Sequence, residues 1–273
     1  MFLLVLWIVT LAIVVVGLLP PGDQEVARWS RRFNVPLHST TVDLVRAQLR
    51  RGRSIRFAFF ALGIHIGMLP MYMNVIDVKR ASEFSNPLTG SAPYALAAVG
   101  AFLAELAMAM ASRPGQVTGV RSAALVSRHW FDYIHSFWLL FVIACLPISL
   151  IAAWFAKDDE QTLGWIWVGP ALTAVAILAA TVGVSVVVNR PVVALASDTP
   201  GLDDALRSDG AHHILGAAVG VAGIAACTSA TQALASSWWA LIPGLLTYAA
   251  IGAWYIIADT SAWNVGQARL PHA

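Results

Sequence analysis

Seven stretches, at roughly 1–20, 55–75, 94–112, 134–156, 164–188, 211–230 and 238–258, are apolar and almost free of charge. A helix needs about 20 residues to cross the hydrocarbon of a bilayer, and in lipid the backbone must satisfy its own hydrogen bonds. The spacing therefore predicts an all-α polytopic bundle of about seven transmembrane helices. Composition agrees, with 58% hydrophobic and 12% charged residues, against about 25% charged in a soluble domain. The segments between the runs are too short for a folded soluble domain, so the 273 residues read as one integral membrane domain. The first run has no basic segment ahead of it and leads into Pro20-Pro21 rather than a small-residue cleavage site. It reads as a retained span, not a signal peptide.

Loop charge predicts the orientation. Arg28, Arg31, Arg32, Arg46, Arg50, Arg51, Arg53 and Arg56 fall in the first loop, Arg113, Arg121 and Arg128 in the third, Arg190 and Arg207 in the fifth, and Arg269 in the tail. Only Lys79, Arg80 and Lys157 fall on the other side. The N-terminus is expected outside and the C-terminus in the cytoplasm of a bacterial plasma membrane. Trp154, Trp165, Trp167, Trp238 and Trp239 then sit at the outer boundary and Trp130 and Trp263 at the inner one, where amphipathic rings concentrate. A net charge of +2 gives no reason to expect nucleic acid.

The basic loop at 21–54 has amphipathic character. Asp23 to Phe33 puts Val26, Trp29 and Phe33 on one helical face with the arginines elsewhere, the pattern of an interfacial helix. Thr40-x-x-Asp43 then opens a second helix carrying Val42, Val45 and Leu49, and Gly52 is expected to close it after an Arg-rich turn. Arg46, Arg50, Arg51 and Arg53 form a candidate docking surface for a cytoplasmic protein. No GxxxxGK[ST] loop is present, so an ATPase would have to be a separate chain.

Arg113-Pro114 and Arg190-Pro191 each end a run, and the same spacing aligns Asp132 with Asp209 and His135 with His212. The pattern suggests two parallel repeat units, 113–156 and 190–230. Either the Asp-x-x-His pairs serve as helix starts, or they meet as a carboxylate and imidazole cluster for a proton or a metal.

Glu105 is the one acid deep in an apolar run, and His65 lies near the middle of another. An intramembrane carboxylate is costly unless paired, so a Glu105–His65 pair between adjacent helices is expected. Gly63-x-x-x-Gly67 and Gly216-x-x-x-Gly220 are close-packing faces. Pro243-Gly244 could interrupt its span.

The stretches SRPGQVTGVRSAALVSRHWFDYI and NRPVVALASDTPGLDDALRSDGAHHILGAA resemble a group of polytopic membrane proteins of high-GC Gram-positive bacteria, over about 110 to 220. The resemblance implies association with ATP-driven export systems or transcription regulators, and supplies no functional residues. Three functions follow as expectations. The first is a transmembrane subunit of a multi-component transporter, an ATP-driven exporter with lipid and a cytoplasmic ATPase as partners. The second is a non-catalytic assembly or sensor subunit. The third is a metal- or haem-binding redox subunit using His135 and His212. No HExxH or GxSxG motif points to an enzyme, and no cofactor is called for under the first two.

Overall fold

The computed structural model describes residues 2–36, 38–76, 99–108, 129–156, 167–189, 201–234 and 237–259. These residues form α1 (Phe2–Leu18), α2 (Asp23–Phe33), α3 (Ser39–Ile76), α4 (Val99–Met108), α5 (Ser136–Ala156), α6 (Val168–Asn189), α7 (Leu202–Ala233) and α8 (Leu241–Ala258). Short 3-10 turns at Trp130–Asp132 and Trp238–Ala240 precede α5 and α8. Each of the seven apolar runs holds a helix, and among the described residues α2 is the one α-helix formed wholly outside them. Among the described residues, four segments are long and apolar enough to cross a membrane: α5, α6, α7 and Trp238–Ala258.

These four alternate in direction, and α7 is the central one. Of its most apolar window 78% is buried, against 33% for α5, 39% for α6 and 17% for Trp238–Ala258. Its neighbours turn large apolar side chains outward, including Leu140 and Phe155 on α5, Leu178 and Val182 on α6, and Leu245 and Tyr255 on α8. That outward face is suited to lipid and the small-residue interior to close helix packing.

Small residues explain how α7 is enclosed. Gly216, Gly220 and Gly223 share one face and lie against α8. A Cβ at Gly216 would come within 2.9 Å of the Trp254 carbonyl oxygen, and one at Gly223 within 2.7 Å of Ala250 Cβ. Gly216→Leu is therefore expected to cost about 1–3 kcal/mol by overpacking, read by SDS unfolding in detergent followed by far-UV circular dichroism. Gly244→Leu, with nothing within 4 Å of its Cβ position, should stay within about 0.5 kcal/mol of wild type. Equal losses in the two variants would contradict the packing account. The Gly63 face is used in the same way, where α3 meets Gly100 of α4.

Three sequence expectations are corrected. Residues 40–52 are not a separate helix: α3 runs unbroken through Gly52, about 57 Å at 1.5 Å per residue. Gly52 keeps helical backbone and only Gly201 among the described glycines has positive φ, so the left-handed turn that would end a helix there does not form. Helix α3 starts at Ser39, ahead of the expected N-cap Thr40, and Thr41 Oγ1 at the third helical position accepts from the His38 backbone N–H at 2.9 Å, the role that the expected box gave to Asp43. Pro243 does not break a span, because it lies in the first turn of α8, where a proline forfeits no intrahelical bond.

Helix α2 has the expected bounds but another packing partner. Val26, Trp29 and Phe33 are buried against Val45 of α3 and Leu202, Ala205 and Leu206 of α7. The apolar face is thus covered by protein rather than pressed into lipid. Its end is a Schellman turn: Asn34 adopts φ 51°, the Asn34 N–H donates to the Arg31 carbonyl at 3.3 Å, and that of Val35 to Ser30 at 3.1 Å. Asn tolerates this left-handed conformation, and the turn brings buried Val35 back into the same cluster.

Candidate functional site

The charged residues of the helices converge at one end of the bundle. Asp209 and His213 are one turn apart on α7, so their side chains share a face. That face meets α2, α4 and the end of α8. His213 Nε2 lies 3.7 Å from Asp209 Oδ1 and its Nδ1 3.9 Å from Glu105 Oε1. The imidazole therefore stands between two carboxylates.

Each carboxylate has its own guanidinium. Arg56 of α3 donates to both Glu105 oxygens, from Nε to Oε1 and from Nη2 to Oε2, the two-point contact for which a planar fork is suited. Arg32 of α2 lies 3.6 Å from Asp209 Oδ1 and 3.5 Å from Asp259 Oδ1. Its Nη2 also donates to the Ala258 carbonyl at 2.8 Å, at the C-terminus of α8, where cations are favoured. Burial pulls the Arg32 pKa below its ordinary value, and Asp209 and Asp259 oppose that shift. Two buried acids matched by two guanidinium groups reduce the cost of placing charge beside the apolar bundle. The histidine adds a group able to gain or lose a proton.

A second buried charge is structural. Arg207 of α7 is fully enclosed; Nε donates to Asp203 at 2.7 Å, and Nη1 donates to the carbonyls of Val187 and Val188 at 3.1 and 2.6 Å. Those carbonyls belong to the last turn of α6, whose unpaired acceptors Arg207 satisfies from another helix.

Glu105 lies in the cluster, but its partner is Arg56 rather than His65. His65 is nine residues further along α3, about 13 Å at the rise of a helix, with its ring 4.3 Å from that of Trp7 in α1. Arg46 is paired with Asp23 and Asp43 and Arg53 with Glu25. These two expected docking residues instead fasten α3 to α2, while Arg50 and Arg51 remain exposed. Arg113 and Arg190 lie outside the described residues.

The two Asp-x-x-His elements have different surroundings. Asp132 caps the turn before α5, accepting from the His129 N–H at 3.1 Å, and His135 is exposed. Asp209 lies inside α7 and belongs to the cluster, whereas His212 is buried beside it, with Nδ1 against the Ser208 carbonyl at 2.8 Å. Residues around Asp132 do pack on α7: the Ser208 hydroxyl donates to the Tyr133 carbonyl at 3.1 Å and the Tyr133 hydroxyl to Asp204 at 2.9 Å. Among the described residues no group of three or more His, Cys, Asp or Glu side chains is arranged to hold a metal.

Sequence reasoning takes Arg32 and Arg56 only as loop charges and passes over His213 and Asp259. Arg56 borders the apolar run, and a buried acid's need for a cation is the signal that points to it. The i, i+4 spacing of Asp209 and His213 was the other. No protein-family model, curated protein or solved structure matches this chain.

Proposed function

We propose that this chain is the transmembrane subunit of a multi-component transporter, driven by an ATPase on a separate cytoplasmic chain, with about seven spans, its N-terminus outside and its charged end in the cytoplasm of a bacterial plasma membrane. The observation that carries this reading is the way α2 is fastened. Along one side it is tied to α3 by Asp23–Arg46 and Glu25–Arg53. At its last turn Arg32 ties it to Asp209 of α7 and to the end of α8. Displacement of this platform by a partner is thereby passed to the helix at the centre of the bundle. Exposed Arg50 and Arg51 on α3 are the docking residues, and the Glu105–His213–Asp209 cluster is the polar group beside the pathway.

The small-residue faces support this over an assembly role. Gly63 is occupied by α4, and Gly216 with Gly220 by α8, so those faces are already used within the fold. The test is purification in mild detergent with mass spectrometry of retained proteins. A stoichiometric ATPase is expected with wild type and at least tenfold less with Arg50→Glu/Arg51→Glu. A chain that purifies alone under conditions that preserve its fold overturns the reading.

A further inference from the structure

The charges of α2 are divided unequally between its two sides. Asp23 is neutralised by Arg46 and Glu25 by Arg53, while Arg32 is engaged by Asp209 and Asp259. Arg28 and Arg31 are exposed and make no ion pair among the described residues. They are three residues apart, hence neighbours on the helix surface, away from buried Val26, Trp29 and Phe33. With Gln24, Ser30 and Val42 they line an open groove of about 760 Å³, whose one acid is Asp23, the partner of Arg46.

The depth of this groove follows from what holds α2 at its two ends. The helix begins at Asp23, after α1 ends at Leu18, and its last turn bonds to the final carbonyl of α8 through Arg32. Both anchors are ends of apolar helices, so α2 would lie at the level where the headgroups of a bilayer crossed by α8 begin. Its apolar face is turned into the protein, and what it offers the surrounding leaflet is paired guanidinium charge. Guanidinium groups bind phosphate oxygens through a planar fork, and anionic leaflets attract basic segments at this depth.

We propose that Arg28 and Arg31 bind the phosphate of an anionic phospholipid headgroup. The lipid is held at the surface of α2, without insertion of that helix into the hydrocarbon. A protein partner is the less suited occupant of this patch, because the apolar side chains of α2 that a protein interface would use, Val26, Trp29 and Phe33, are already buried within the chain. This inference stands whether or not an ATPase is the chain's partner.

The experiment uses the full chain in mild detergent and native mass spectrometry, titrating phosphatidylglycerol and phosphatidylcholine at equal concentration. Wild type is expected to retain at least fivefold more phosphatidylglycerol, and R28Q/R31Q to retain the two lipids equally. A melting curve in the same detergent checks the variant's fold, and the wild-type comparison decides the matter even where the variant does not fold. Equal retention of both lipids by wild type overturns the assignment. So does unchanged phosphatidylglycerol retention in a folded R28Q/R31Q, or loss from that variant of a co-purifying protein alone.

Discussion

Arg207→Leu is expected to destabilise the bundle by about 3–5 kcal/mol, the scale on which removing one partner of a buried ion pair acts. The arginine is fully enclosed, and its loss strips Asp203 of a 2.7 Å partner and leaves the Val187 and Val188 carbonyls without their donor. Leucine fills part of the volume but satisfies none of these acceptors. Arg207→Lys should recover part of the loss, since an ammonium can reach one acceptor but cannot reproduce the fork. SDS unfolding in micelles, followed by circular dichroism, measures both. A loss below about 1 kcal/mol for the leucine variant would show that the end of α6 is stabilised in another way.

The second large effect concerns the Arg56–Glu105 pair. Arg56→Met should cost about 3–5 kcal/mol by stranding a buried carboxylate, whereas Arg56→Met combined with Glu105→Leu should come close to wild type, as replacement of a whole buried pair by apolar residues often does. The double-mutant cycle then gives a coupling energy above about 1.5 kcal/mol for residues 56 and 105, and one within about 0.5 kcal/mol for residues 65 and 105. Reversed coupling energies would restore the Glu105–His65 pairing.

The contrast between these two pairs shows what the sequence could and could not reveal. Apolar periodicity located a helix in every run, because hydropathy reports directly on what a helix must bury. It also located α2 through Val26, Trp29 and Phe33, all of which are buried. It did not reveal what covers that face: an apolar stripe has the same pattern against lipid as against Leu202 and Leu206. Glu105 stood out because an isolated acid in an apolar run is costly wherever it points. Its partner is hidden because Arg56, at the very start of the apolar run, reads as one more charge of the basic loop, whereas in the fold it reaches the Glu105 carboxylate. Arg46 and Arg53 were legible as charges but not as staples, since Asp23 and Glu25 approach them only once α2 folds back on α3.

The enclosure of α7 bears on the order in which the chain is made. Its glycine face is covered by Trp254 and Ala250, residues synthesised after α7 is complete. Its opposite flanks rest on α5 and α6, which precede it. The central helix of the bundle is therefore one whose packing surface is completed only when α8 emerges, so its stability depends on a helix made after it.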